Sequence, residues 1–137
     1  MANLRLKNIK KSFSGQIALD NLNLDVEDGE FFVILGHTGA GKTTMLRCIA
    51  GLEQPEQGEI YMDDELISDM TPATRDVAFV FQEHILYPHM TVYENMAFPL
   101  HPRGHSDSEI NLRVVEIAEM LHIEHLLERQ PSQLSGG

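Results

Sequence analysis

The chain of 137 residues has no tryptophan and one cysteine, Cys48. A single thiol cannot form an internal disulfide, so packing must hold the fold, and a reducing compartment is the simple expectation. Long apolar runs are also missing. No aliphatic-aromatic run, Phe31-Phe32-Val33-Ile34-Leu35 included, is longer than five residues, against the roughly 20 that a bilayer-crossing helix needs. The start, Met-Ala-Asn-Leu-Arg-Leu-Lys, carries no apolar stretch of the kind a signal peptide has. Positive charge is scarce: 10 Lys and Arg face 21 Asp and Glu, a formal net charge of −11. That balance lacks the basic footprint of a general nucleic-acid binder. It also disfavours attachment to an anionic membrane by charge alone. What is present is 42% hydrophobic residues, enough to build a core in one domain or a piece of one.

The patterning predicts strands first. Leu4 and Leu6 alternate with Arg5 and Lys7, and Leu22, Leu24 and Val26 with Asn23, Asp25 and Glu27. Period two is the mark of a half-buried strand. The unbroken run Phe31–Leu35, bounded by Asp28-Gly29 and Gly36, predicts a strand buried on both faces. Glu59–Met62 and Val77–Phe81 predict two more. Met45, Leu46, Ile49 and Ala50 recur at helical spacing within Thr43–Leu52, with Gly51 or Pro55 to end the helix. Ser106–Glu128 predicts helix as well. Ser106 and Glu109 form a capping-box pattern, and Ile110, Val114, Ile117, Ala118 and Leu121 make one face. A second short helix is expected near Ile123, and Pro131 should end helix. The acidic run from Glu53 to Asp69, without a basic residue, predicts a solvated face.

Gly36-His37-Thr38-Gly39-Ala40-Gly41-Lys42-Thr43 matches G-x-x-x-x-G-K-[ST] in full, between a predicted strand and a predicted helix. Glycines let backbone N–H groups turn inward and approach phosphate oxygens closely. The helix that follows aims its unpaired N–H groups and positive end at the same anion. Lys42 adds a mobile point charge for the β and γ phosphates. Thr43 offers a hydroxyl to Mg²⁺, which prefers hard oxygen ligands. The pattern serves kinases, GTPases and many ATPases alike. His101 and His105 are four apart and His122 and His125 three apart. With one cysteine and no HExxH or CxxC frame, no structural zinc site is expected.

Two later segments narrow the choice. Gln82 ends the predicted strand Phe79-Val80-Phe81, forty residues after Lys42, and the last four residues read Leu134-Ser135-Gly136-Gly137. In this order and spacing the three motifs resemble the ATP-binding-cassette (ABC) transporter ATPases. Leu86-Tyr87-Pro88-His89-Met90-Thr91-Val92, with Glu94, Asn95 and Phe98, is most similar to the branch serving sugar and polyol importers.

The resemblance implies an α/β fold, a P-loop NTPase of cassette type. It would have an N-terminal antiparallel β subdomain, a helical subdomain and an incomplete core sheet. A β-rich nucleotide-binding part would cover 1–82 and a helical part, ending at the signature, 83–137. It implies ATP and Mg²⁺ as ligands, with Gly36, His37, Thr38, Gly39, Ala40, Gly41, Lys42, Thr43 and Thr44 around the phosphates. Gln82 would take the Q-loop role, touching Mg²⁺ or the attacking water as the catalytic residue of this stretch, with Thr43 as the other metal ligand. Phe13 would stack on adenine or else sit in the core. Ser135, Gly136 and Gly137 would cap the ATP of an opposite protomer in a head-to-tail homodimer or heterodimer. Transmembrane permease subunits would be the other partners, docking near Tyr87. That puts the protein at the cytoplasmic face of a membrane, peripheral, with no nucleic-acid partner.

In this family the Walker B aspartate, the catalytic glutamate, the D-loop and the switch histidine follow the signature. No residue among these 137 fills those roles. The expectation is a parent protein that hydrolyses ATP to drive import of a sugar or related solute. The 137-residue stretch by itself should turn over no ATP and bind nucleotide weakly at best. Two alternatives remain: a non-catalytic nucleotide-binding or regulatory fragment, and a cassette protein not engaged in transport.

Overall fold

The computed structural model describes residues 2–83 and 85–135. The alternating N-terminal segments fold as β1 (Leu4–Phe13) and β2 (Gln16–Val26), paired antiparallel. Ser14 and Gly15 join them with φ of 49° and 84°, a two-residue positive-φ turn whose twist suits a hairpin. β3 (Gln57–Met62) pairs with the other edge of β1, and β4 (Glu65–Leu66) follows through Asp63 and Asp64. The four-stranded sheet runs β2-β1-β3-β4.

Leu6 and Ile9 are three apart, which strict alternation would send to opposite faces. Both are buried. Asn8, at φ 52°, sits at a register shift between them. The irregularity returns Ile9 to the core side, as a bulge does. α1 (Lys42–Ile49) forms where a helix was expected but stops earlier. Gly51 ends it at φ 75°. Leu6, Ile9, Leu19, Ile60 and Ile67 from the sheet side pack with Met45, Cys48 and Ile49 of α1. Each fully buried aliphatic side chain is worth about 1.5–3 kcal/mol.

Two predicted strands do not form. Phe31–Leu35 and Val77–Phe81 carry no strand, and Phe31, Leu35 and Val80 are 92%, 87% and 94% exposed. A strand is a paired state. An apolar run specifies that both faces should be covered, but the ladder partners and covering layers must come from other segments. Among the described residues no strand pairs with either run.

The chain forms two compact units, one ending at Val80 and one beginning at Phe81. In the second, α2 (Val92–Ala97) and α3 (Asp107–Met120) pack through Ala97, Ile110 and Val114, with Tyr93, Met96, Leu100 and Leu127 around them. The Ser106–Glu109 capping box is formed. The expected face of α3 is narrower than its apolar pattern: Ala118 is buried, but Ile117 and Leu121 are exposed. α3 also ends before Glu128, with His122 at φ 58°. A 3₁₀ turn, Glu124–Leu126, stands where the second helix was expected. Pro131 opens another, Pro131–Gln133, rather than ending a helix; its missing N–H costs nothing at a first helical position. No helix among the described residues is long and apolar enough to cross a membrane.

Candidate nucleotide site

Gly36 to Gly41 run as a loop into α1. Gly39 and Gly41 both take φ 83°, a left-handed backbone that side chains other than glycine adopt at a cost. A Cβ on Gly41 would collide with the Ala18 carbonyl oxygen and stand 2.9 Å from Leu19 Cδ2. The end of the loop therefore rests directly on β2. Gly36 is milder, its Cβ position lying 3.3 Å from Ala40 Cβ.

Lys42 Nζ donates to the Gly36 and His37 carbonyls, at 2.8 Å each. The ammonium thus closes the loop into a ring from Gly36 to Lys42. His37 Nδ1 lies 2.8 Å from the Thr38 carbonyl oxygen, a bond that needs the tautomer protonated there. Met45 N–H donates to the Gly41 carbonyl at 2.9 Å. The N–H groups ahead of it in α1 have no partner one turn back. α2 and α3 cover theirs with capping boxes from Thr91–Glu94 and Ser106–Glu109. α1 has no side-chain cap and no acidic residue in its first turn. Thr43 is exposed and Thr44 partly buried. N–H groups, a helix end, a cation and a hydroxyl form a donor set that suits a polyphosphate with a hard divalent cation.

A cleft of about 840 Å³ in the same unit, lined by Leu4, Val26, Ile49, Met62, Ile67 and Met70 among others, contains none of the residues 36–44. The phosphate chemistry of such a loop uses backbone N–H groups that line the concavity of a turn.

Phe13, the last residue of β1, is 44% exposed and so not a core residue. Lys11 Nζ lies 5.1 Å from the Phe13 ring centroid, 3.3 Å from Glu53 Oε2, and donates to the Gln54 carbonyl at 2.8 Å. Ser12 donates through N–H and Oγ–H to Glu56 Oε1, at 3.0 and 2.6 Å. These two bonds hold the Glu56 carboxyl below its ordinary pKa. The end of β1 is thereby fastened to residues 53–56. The acidic run is not simply a solvated face: Glu53, Glu56 and Asp63 all bond to β1 or the residue before it.

Gln82 is exposed and belongs to the second unit, whereas Thr43 belongs to the first. Ser135 is exposed, and Gly136 and Gly137 lie outside the described residues. In the segment after Gln82, Asn95 Nδ2 donates to the carbonyls of Tyr87, Met90 and Thr91, at 3.2, 3.2 and 2.9 Å, and Asn95 Oδ1 accepts from Tyr87 N–H at 2.8 Å. This holds the Tyr87 ring 4.8 Å from that of Phe98. Both rings remain over two-fifths exposed. Among the described residues no three His, Cys, Asp or Glu side chains gather to hold a metal ion. The buried Cys48 thiol has its pKa raised by burial, which keeps it protonated and unreactive.

Sequence reasoning missed two residues, Lys11 beside Phe13 and Arg75 at the far end of α1. Lys11 was findable: it stands two residues before Phe13, on the same face of a strand. Arg75 was not. It is a single basic residue in a loop, and its burial comes from tertiary packing alone.

A family model for the ABC transporter matches residues 19–137. The chain is 50% identical over 137 residues to the osmoprotective compounds uptake ATP-binding protein GgtA of Synechocystis sp., covering 100% of this chain and 38% of GgtA. It is 50% identical over 143 residues to the trehalose/maltose import ATP-binding protein MalK of Thermococcus litoralis, again covering 100% of this chain and 38% of the relative. The dimeric post-hydrolysis structure of the ATP-binding cassette MJ0796, bound to ADP and Pi, superposes with a TM-score of 0.86 at 35% identity, over 97% of this chain and 63% of that one. The chain spans about two-fifths of the length of these curated relatives. A match of this extent, on a chain whose glycine loop opens an uncapped helix, leaves one assignment: the fold is that of an ATP-binding cassette, and the chain belongs to the ABC transporter family.

Proposed function

We propose that these residues are the phosphate-binding and helical part of an ATP-hydrolysing subunit that drives import of a sugar or related solute. The observation that carries this is the geometry of α1: its first-turn N–H groups have neither a side-chain cap nor an acidic neighbour, and Lys42 lies along the loop that leads into them. Such a terminus is suited to a polyphosphate. Residues 36–44 would bind the nucleotide phosphates. Lys42 would exchange the Gly36 and His37 carbonyls for β and γ oxygens. Thr43 and Gln82 would hold Mg²⁺, which supplies charge neutralisation at those oxygens. Gln82 would also orient the attacking water, and Phe13 would offer its exposed ring to adenine.

The division into a β-rich nucleotide-binding part and a helical part follows the same reading. Ser135, Gly136 and Gly137 would face the nucleotide of an opposite protomer, as in the head-to-tail dimers of this family. MJ0796 is dimeric with ADP and Pi bound, which supports this arrangement. GgtA and MalK are uptake and import ATP-binding proteins, which supports a membrane permease as partner and a peripheral place on the cytoplasmic side. Their named substrates support a sugar or osmoprotectant as cargo.

The test is ATP turnover by the full protein that carries these residues, wild type against Lys42→Ala, with recovery of bound membrane subunits. Turnover lost in the variant, with a permease co-purifying, is the expected result. Turnover unchanged by Lys42→Ala, or co-purification with ribosomes in place of a membrane subunit, would overturn the reading.

A further inference from the structure

Arg75 is 3% exposed, and its guanidinium spends four hydrogen bonds on backbone carbonyls. Nη1 donates to Cys48 and Ile49, at 2.7 and 2.9 Å, Nη2 to Ser68 at 2.7 Å and Nε to Met70 at 3.0 Å. Cys48 and Ile49 are the last two residues of α1. Their carbonyls belong to the last turn, whose acceptors lack partners within the helix itself, and a cation there is favoured by the helix dipole; that of Cys48 also accepts the Gly51 N–H at 3.1 Å. Ser68 in turn is tied to the sheet, its Oγ accepting the Ile60 N–H at 2.8 Å. The arginine therefore joins the far end of α1 to the segment stitched to β3.

The same helix carries the phosphate loop at its near end. α1 has eight residues, about 12 Å of rigid rod. Its apolar contacts through Met45, Cys48 and Ile49 resist lifting off the sheet. They are non-directional and resist sliding along the helix axis poorly. Directional bonds do that better. At the near end Gly41 abuts the Ala18 carbonyl. At the far end one planar, pre-organised guanidinium holds two terminal carbonyls with two of its bonds and anchors itself to Ser68 and Met70 with the other two.

We propose that Arg75 is a positioning residue for the phosphate loop, fixing the axial placement of α1 and, through it, residues 36–43. The consequence for nucleotide rests on the function proposed above. The mechanical claim does not, and it can be measured without ligand.

The experiment is backbone amide exchange in the unliganded 137-residue chain, wild type against Arg75→Met and Arg75→Lys, well below the unfolding temperature. Lysine keeps the charge but not the fork, so it serves if the methionine variant does not fold. The expected result is about a tenfold faster exchange at Ala40 and Met45, with the amides of β1 and β3 unchanged. A rise confined to residues 48–52 and 68–76 would overturn the proposal. So would an equal rise across the sheet, which would make Arg75 a general support only, or no rise at all. Affinity for a fluorescent ATP analogue with Mg²⁺ is measured in parallel in the full protein that carries these residues and should fall in Arg75→Lys. A full wild-type protein that did not bind the analogue would count against the nucleotide reading, while the exchange pattern would still decide the role of Arg75.

Discussion

Arg75 lies in the space that the missing side chain of Gly51 leaves: a Cβ there would stand 2.7 Å from its Nε and 2.9 Å from its Cζ. The residue that stops α1 with φ 75° is thus also the seat of the arginine that binds the end of α1. Gly51→Ala meets two costs together. The left-handed backbone costs about 1–2 kcal/mol, and pressing on a closely packed group costs about 1–3 kcal/mol. A denaturant melt should show the midpoint falling accordingly. A loss no larger than the backbone cost alone, about 1–2 kcal/mol, would mean that the guanidinium moves aside freely.

Gly39 and Gly41 share one backbone conformation but not one environment. Nothing lies within 4 Å of a Cβ on Gly39, whereas one on Gly41 would strike the Ala18 carbonyl. Gly39→Ala should cost only the backbone term, about 1–2 kcal/mol. Gly41→Ala should cost more and lift the loop from β2. Thermal melts of the two variants give the ordering. Equal losses would show that the contact with Ala18 yields.

Among the described residues the Lys42 ammonium bonds to carbonyls of its own loop, and both bonds are exposed. Lys42→Ala should change stability by no more than about 1 kcal/mol. Its effect on affinity for a labelled ATP analogue should be at least about tenfold, since a charge-assisted contact to phosphate is lost. Equal loss of stability and affinity would mark the lysine as a structural clasp instead.

How much of this was legible follows from where each signal resides. The glycine loop and the capping boxes are local chemistry: Gly41 at φ 83° and the Ser106–Glu109 pair need only residues a few positions apart. The hairpin strands were legible because their partners are near in sequence. Asn8 was not, since the register shift it accompanies depends on where Ile9 must point once Leu6 is buried. Phe31–Leu35 was read as a covered strand, and its composition does ask for that. Covering is a property of neighbours, however, and none of the described strands lies beside it. Arg75 failed for the same reason in reverse: a charge was buried because two carbonyls of the distant α1 and two of the nearby residues 68 and 70 meet it.

Glu109 accepts bonds from the Ser106 backbone N–H and hydroxyl, at 2.8 Å each. They hold its carboxyl below the ordinary glutamate value. A folded-state pKa that is lowered contributes stability that is complete above the unfolded value, about 4.3, and lost as pH falls through the folded value. The start of α3 should therefore loosen on the acid side of that range. Glu109→Gln keeps an acceptor in the box and should flatten this acid dependence. Helical signal followed against pH in both chains checks it. Identical acid profiles would remove Glu109 as the cause.

Phe31, Leu35 and Val80 expose large apolar side chains almost completely, on two segments without ladder partners among the described residues. Exposed apolar groups gathered on segments outside the sheet are a template for association. The 137-residue polypeptide alone should bind a hydrophobic dye and sediment faster as its concentration rises. Replacing all three residues by serine should reduce both effects with little change in the unfolding midpoint, since almost no buried area is lost. If the substituted chain associates as strongly as the wild type, these segments are not the adhesive surface. If it unfolds instead, they are covered in solution by contacts that the folded units do not otherwise require.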